Sequence, residues 1–463
     1  MDGLHVVMFC AAVGAAAFGV LAEAGPRPAG APKLSDVCFS SRWRHPANDE
    51  DPHDTFAAAA AFHATRLDWV YSSDPDWIAA CHRRGYHFGG SLNSKLPDAP
   101  GVDTCLQGRI QNAAGELVTA PWMAGWNAWW GCVNSPEFRK TFIDHAKLLV
   151  QGGAEVLHVD DPGMNLAAVD WGGCYCEYCR QLAAEHGIDL AKDMREFQKA
   201  SVHRFYGVVR REIDAYAGRH VPISSNNYAG RWTFPYYLFD YGMAELPESL
   251  ADPKNIDQVL ADARQRGKAQ VFTFVSEDVD HTRRVIATTY ACGGHTIVPW
   301  DVYLRSTPTG SDRYFGEPEE YADLYGFVRA IADYLNDYQP VTADDHAALT
   351  ITAGSGQLHA WVRAVPGERD MPVVIHLVEW AEPTPAVIHI DTQLILGSDP
   401  QAVRCALAAP SAYDEAVHTQ AEQTGDFSPL VEMTRLDAEA NGCVLTIKVP
   451  ALTPWGIVVL HSK

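Results

Sequence analysis

From Val37 onward, short apolar runs alternate with longer stretches whose apolar residues recur at helical spacing. The runs are Val37–Trp43, Leu67–Tyr71, His87–Leu92, Glu155–Asp160, Pro222–Asn226, Tyr241–Glu245, Ala269–Val275 and His295–Trp300. Their length and their Val, Ile, Phe and Tyr content predict strands. Between or after them, Pro136–Gln151, Asp193–Tyr216, Ile256–Arg266 and Glu319–Tyr338 predict amphipathic helices. Eight β/α units in roughly 300 residues predict a (β/α)8 TIM barrel over residues 35–340. From residue 341 to 463 the pattern changes. Leu349–Thr352, Leu358–Arg363, Val373–Val378, Ala386–Ile390, Val444–Val449 and Trp455–Leu460 read as strands with little helical periodicity between them. That predicts a C-terminal antiparallel β-sandwich.

The start of the chain belongs to neither domain. Leu4–Ala22 is mostly apolar and Ala22-Glu23-Ala24 has the small-x-small form of a cleavage site. Residues 1–24 therefore predict a signal peptide and a secreted or periplasmic protein, although Met1–His5 carries no Lys or Arg. Residues 25–34 form a Pro/Gly linker. No later run is apolar long enough to span a bilayer. The formal charge of −22 (36 Lys and Arg against 58 Asp and Glu) argues against nucleic acid and anionic lipid as partners.

Barrel enzymes carry their chemistry at strand C-termini. Strand four ends in Asp160-Asp161-Pro162-Gly163 after a buried Val-Leu-His-Val run. Neighbouring strand residues point to opposite sides, so the two aspartates differ in role. Asp161 is the expected chemical group and Asp160 its support. Strand five ends in Asn226-Asn227-Tyr228, hydrogen-bonding equipment for hydroxyl-rich ligands or simply an Asx turn. Strand six ends in Glu245, strand seven in Ser276-Glu277-Asp278 and strand eight in Trp300-Asp301. Carboxylates facing each other across a cavity fit glycoside hydrolysis, where one protonates the leaving oxygen and the other attacks or activates water. The Trp-rich stretch Trp122, Trp126, Trp129, Trp130 offers flat faces for sugar rings, as do Tyr228, Trp232 and Trp300; domain packing is the plainer use of such residues. No serine-nucleophile, zinc-protease or phosphate-loop motif is present, and His45, His53 and His63 are not spaced as a catalytic zinc set.

Cys174, Cys176 and Cys179 give three thiols within six residues, and Cys132 stands upstream. Four thiols suit a tetrahedral structural zinc; in an exported protein disulfide pairing competes, and free thiols are the third reading.

This region resembles the clan A β-galactosidases that have a trimerising second domain. There a strand-four V-D-N-E motif precedes a C-Y-C-x-x-C cluster that binds zinc with one earlier Cys. Here Val159-Asp160-Asp161-Pro162 precedes Cys174-Tyr175-Cys176-x-x-Cys179, and the likeness covers roughly residues 130–185. The Cys132–Arg139 segment also looks like the stretch before strand four in barrel glycosidases of this broad type. The resemblance implies zinc on Cys132, Cys174, Cys176 and Cys179 and a nucleophile at Glu277. The clan's acid/base Glu is replaced by Pro162, and Asp161 stands where its Asn would be. The clan of the α-galactosidases uses instead a strand-four nucleophile and a strand-six acid, which would make these Asp161 and Glu245.

The expected protein is a secreted glycoside hydrolase acting on an oligo- or polysaccharide. Asp161 is paired with Glu277 or Glu245, and Asp160, Asn226, Asn227, Tyr228, Trp300, Asp301, Trp129 and Trp130 hold the sugar. Its chemistry needs no cofactor, and a homo-oligomer is compatible with it. A non-catalytic carbohydrate-binding barrel and a metal-dependent hydrolase such as a deacetylase are the rival readings.

Overall fold

The computed structural model describes residues 27–40, 55–92, 94, 108–123, 129–300, 304–307, 310–313, 316–341, 348–368 and 370–462. The signal-like segment, Trp126 and Asp301 lie outside them. Among the described residues no helix is long and apolar enough to cross a membrane.

Eight parallel strands close a barrel in chain order: β1 Cys38–Phe39, β2 Arg66–Val70, β3 His87–Leu92, β4 Val156–Val159, β5 Ile223–Ser225, β6 Tyr241–Glu245, β7 Gln270–Thr273 and β8 His295–Val298. All eight fall on the apolar runs of the sequence; β3 and β6 match them, β2 is shifted by one residue to Arg66–Val70, and the others are trimmed at their ends. The trimming matters at β7, where the strand stops at Thr273 rather than running to Val275. The helices around it include α1 Thr55–Ala61, α2 Pro75–Arg83, α3 Pro136–Gly152, α4 Met164–Ala168, α5 Glu177–Glu185, α6 Leu190–Ala217, α7 Pro253–Gln265, α8 Val279–Ala291 and α9 Pro318–Ala330.

Local chemistry starts these helices, two of them three residues earlier than the sequence pattern predicts, at Leu190 and Pro253. Ser135, Asp189, Asp252 and Asp278 each accept a backbone N–H at an N-cap, which satisfies donors the first turn leaves unpaired. Helices α3 and α7 also open with Pro, whose missing N–H costs nothing there.

The barrel interior is filled by Cys38, Trp69, Val156, Tyr241, Met243, Ala269, Val271 and Ile297. At the N-terminal strand ends Arg66 pairs with Asp68 (Nε to Oδ2 2.5 Å) and donates to the Gly30 carbonyl. The compact barrel unit runs from Pro26 to Ala332 and includes Ser411–Leu430, which contains a helix, Glu415–Thr424. The sequence pattern gave this helix no signal, because only His418 and Ala421 of it are buried.

The second unit, Asp333–Pro410 and Val431–Lys463, holds two antiparallel sheets. One takes Gln339–Pro340, Leu358–Ala364, Val373–Glu379, Trp455–Ser462, Val403–Pro410 and Val431–Arg435 in that spatial order. The other takes Leu349–Ala353, Ala386–Asp391, Val444–Val449 and Ala438–Asn441. Alternate residues such as Ile388, Ile390, Leu445 and Ile447 from one sheet and Val362, Ile375, Leu377 and Val458 from the other form one core.

Candidate active site at the C-terminal strand tips

The ladder of β4 reaches one residue past the strand, because Asp160 N donates to the Leu92 carbonyl. Alternation from Val156, an interior residue, carries His158 and then Asp160 towards the barrel axis. Three donors hold the Asp160 carboxylate: Tyr71 hydroxyl at 2.5 Å, Asn226 Nδ2 at 2.9 Å and the Asp161 amide at 3.1 Å. Asp161 takes a left-handed φ of 51°, a conformation Asp tolerates better than most residues, and so leaves the strand alternation. On β6, alternation from Tyr241 and Met243 turns Glu245 to the axis as well.

The register fixes the heights. A barrel of this kind stacks layers of side chains drawn from alternate strands, and each step between alternate strands climbs two residues. Asp160 is level with Asn226, and Asn226 is one place beyond the Ser225–Gly242 pair, opposite Met243. Two residues up from Met243 is Glu245. Asp160 and Glu245 therefore occupy one layer. One level down, Cys38–Arg66–His87 pairing leads from Ser40 to Ser91. Ser91–His158–Ser224 leads to Asn226, Met243–Val271 to Thr273, and Thr273–Ile297–Cys38 back to Ser40. Ser40, Ser91, Asn226 and Thr273 thus form a closed layer from β1, β3, β5 and β7 or their immediate extensions. Ser40 Oγ, Ser91 Oγ, Asn226 Oδ1 and Thr273 Oγ1 are all buried without a hydrogen-bond partner among the described residues. Each such group costs about 1–3 kcal/mol, and all four stand directly beneath Asp160 and Glu245.

Electrostatics join the tips of β4 and β6. Burial pushes the Tyr236 hydroxyl pKa up, the Arg231 charge opposes this, and the Asp161 and Glu245 carboxylates push it further. Burial also raises Tyr206, with the Asp161 charge next in size; the Tyr206 hydroxyl donates to the Pro162 carbonyl at 2.9 Å and so props the loop after β4.

The remaining sequence candidates separate. Glu277 is exposed and lies beyond Phe274, Val275 and Ser276, just before the N-cap Asp278 of α8. Asn227 is fully buried and points the opposite way from Asn226, paired with Gln270 (2.8 and 3.0 Å) and bonded to the Arg231 carbonyl. It is a packing residue, because adjacent strand-end residues face opposite sides. Tyr228 is 48% exposed with the Arg231 guanidinium 5.7 Å from its ring centroid. Trp300, 3% exposed, packs against Phe39 and Phe62 at 5.9 and 6.0 Å. Trp130, 1% exposed, sits edge-on to Trp171 and donates to Met123 Sδ. Core packing holds both rings, which corrects their expected role as open sugar platforms. Trp129 is half-buried, and its carbonyl accepts from Arg109. Tyr71 and Tyr236 were not singled out in the sequence; Tyr71 ends the second apolar run, a position that could have marked it.

Behind the β4 tip the four cysteines converge. Their sulfurs lie within 4.8 Å of one another, all buried. Cys132 Sγ is 3.6 Å from Cys179 Sγ and 3.5 Å from Cys176 Sγ. A disulfide would need about 2.05 Å, so none of the four is bridged. Tetrahedral zinc with bonds of about 2.3 Å would set sulfurs about 3.8 Å apart, close to this spacing. Buried amides aim donors at the sulfurs: Asn165 Nδ2 at Cys132 (3.2 Å), Asn134 Nδ2 at Cys179 (3.3 Å) and Gln198 Nε2 at Cys179 (3.5 Å). Such donors suit thiolates, the metal-binding form. The donor set fits a buried metal ion. Asn165 opens the short helix after Asp161 and accepts from the Val133 amide at 2.9 Å, so the cluster ties the β4 tip to the loop before α3.

The molecule is a TIM barrel with an antiparallel β-sandwich, an architecture found among carbohydrate-active enzymes. It shares this fold with α-L-fucosidase isoenzyme 2 from Paenibacillus thiaminolyticus, at 11% identity and a TM-score of 0.59 over 93% of this chain and 100% of that one. A cycloisomaltooligosaccharide glucanotransferase from Paenibacillus sp., complexed with cycloisomaltoheptaose, matches at 10% identity and 0.57, over 92% and 85%. The α-amylase from H. orenii matches at 10% and 0.52, over 92% and 99%. At such identities the likeness is one of fold. No family model and no curated protein matches the chain in sequence.

Proposed function

We propose that this chain is a glycoside hydrolase whose working carboxylates are Asp160 on β4 and Glu245 on β6. One observation carries the reading: both face the axis in the same layer at the strand C-termini. The named activities of the proteins that share its fold (a fucosidase, a glucanotransferase and an amylase) agree with it. Asp160 accepts three hydrogen bonds, which suits a carboxylate that stays ionised and meets positive charge developing at the anomeric carbon. Glu245 is the proton donor to the leaving oxygen. Asp161, expected from sequence as the chemical group, supplies charge beside Tyr236 instead.

The test is hydrolysis of aryl glycosides and of plant and algal polysaccharides by wild type, Asp160→Asn, Asp161→Asn, Glu245→Gln and Glu277→Gln. Asp160→Asn and Glu245→Gln are expected to lose roughly 10³-fold or more in kcat with folding intact. Asp161→Asn should lose less, and Glu277→Gln only a few-fold. Activity that survives Glu245→Gln but not Glu277→Gln would replace this pair by a strand-seven nucleophile. If Asp161→Asn costs more than Asp160→Asn, the sequence assignment of Asp161 returns. A carbohydrate-binding barrel without chemistry would bind glycans and turn over none.

The same reading assigns a structural zinc to Cys132, Cys174, Cys176 and Cys179, supported by the sulfur spacing and the amide donors. When bound, it would tie down the loops on either side of α3 and β4 and take no part in the chemistry. Export is part of the proposal, on the strength of Leu4–Ala22 and Ala22-Glu23-Ala24; a mature N-terminus near Gly25 in the secreted protein checks it.

A further inference from the structure

We infer that the layer of Ser40, Ser91, Asn226 and Thr273 is the floor of the sugar site, and that it takes the hydroxyl groups of an uncharged sugar. The inference rests on the proposed hydrolase reading and names the substrate class for that same site.

A TIM barrel is filled by side chains stacked in layers. Its layers are usually Val, Ile and Leu. Here a whole layer is small and polar, and beneath it Gly89 leaves no room even for a Cβ, which would lie 2.4 Å from Asp68 Oδ1. Other buried polar atoms in the protein also lack partners, among them Ser225 Oγ and Thr282 Oγ1. Among the described residues, only in this layer do four from alternate strands share one height. Unpaired groups gathered at one level under two axial carboxylates mark a place where a partner is expected from outside the protein.

Their chemistry selects the partner. Three hydroxyls donate and accept, and the Asn226 oxygen accepts while its Nδ2 is committed to Asp160. Sugar hydroxyls, which both donate and accept, match such a set. Among the described residues no Lys or Arg belongs to the layer, and the arginine deeper in the barrel, Arg66, is committed to Asp68. An acidic group set against the layer would meet Asp160 and the Asn226 oxygen with no cation of the layer itself to neutralise it; Arg231 acts higher up, on Tyr236. Access is one-sided, because Cys38, Trp69, Val156, Tyr241, Met243 and Val271 fill the barrel below.

The experiment measures binding of free galactose, fucose, glucose, mannose, xylose and glucuronate by calorimetry and thermal shift. The proteins are wild type, Glu245→Gln, Ser91→Ala and Thr273→Val. At least one neutral sugar should bind saturably, and glucuronate should not. Ser91→Ala and Thr273→Val should each weaken that binding about 10-fold or more while the unliganded protein melts as wild type does. Glu245→Gln should still bind it. Any of three results overturns the inference: no neutral sugar binds; glucuronate binds equally well; or both hydroxyl-deleting variants bind unchanged, which would leave the layer to ordered water. Those results leave hydrolysis and its loss in Asp160→Asn untouched. Sugar binding without turnover on any substrate would keep the floor and sink the hydrolase.

Discussion

Two groups of buried polar atoms lie close together in the chain's own register and are treated in opposite ways. Around the four cysteines every flanking amide is spent: Asn165 on Cys132, Gln198 and the Val133 amide, Asn134 on Cys179 and Ser201. On the barrel axis Ser40, Ser91, Asn226 and Thr273 each leave an oxygen unpaired. A saturated polar cluster is self-sufficient and reads as architecture. An unsaturated one carries a cost that something else must remove, and it stands where a substrate would enter. The contrast teaches where to look for function in a fold whose acids alone are too numerous to choose among.

The sharpest way to break the contrast is to unbalance the saturated side. Cys179→Ser, or a strong chelator, is expected to destabilise the protein by several kcal/mol, because thiolates assembled around an ion lose the charge that holds them. About 3 kcal/mol would lower Tm by roughly 4 °C in a unit of about 300 residues. Elemental analysis should find one zinc per chain in the wild type and none in the variant. Wild type without metal, and with an unmoved Tm on chelation, would show the cluster to be four ordinary buried thiols.

A milder cut removes one donor and keeps the sulfurs. Asn165→Ala leaves the Val133 amide and Gln198 Oε1 without their 2.9 Å partners. The expected loss is about 1–3 kcal/mol, the cost of orphaning buried polar groups. Since α4 follows the Asp160–Asp161 tip directly, kcat should also fall, with the metal still bound. A stable variant of unchanged kcat would separate the cluster from the site.

Much of this was legible in the chain. All eight barrel strands were, because parallel strands buried on both faces read as apolar runs. The cysteine cluster was, because its spacing is local. The sandwich strands Val403–Pro410, Val431–Arg435 and Ala438–Asn441 were not, the last two being largely exposed and so lacking alternation. Which of Asp160 and Asp161 faces the axis was not legible either. It depends on where β4 ends and on the left-handed turn at Asp161, and a one-residue error in a strand boundary exchanges the two roles. The orphaned layer could not be seen at all, since Ser40, Ser91, Asn226 and Thr273 are far apart in sequence and meet only through the register.

Between the neighbours Asn226 and Asn227 the contrast reduces to one residue. Asn227→Ala should cost about 1 kcal/mol or somewhat more by stranding Gln270, with KM unchanged. Asn226→Ala should spare stability better and raise KM, because it takes one donor from Asp160 and one oxygen from the floor. Matching effects on KM would mean that both amides serve the site.

The smallest effect on stability is the most telling. Thr273→Val replaces a hydroxyl by a methyl of nearly the same shape in the ligand-free protein. At a satisfied buried position this costs about 1 kcal/mol or more; at an unsatisfied one it is neutral or stabilising. The expected change in denaturation midpoint is therefore within about 0.5 kcal/mol of zero or towards greater stability, measured by urea titration at constant m. A clear destabilisation would mean that Thr273 already has a partner in the free protein. A gain in stability together with weakened sugar binding would show the floor held in a costly state for the sake of its ligand, the trade that separates a binding site from the architecture around it.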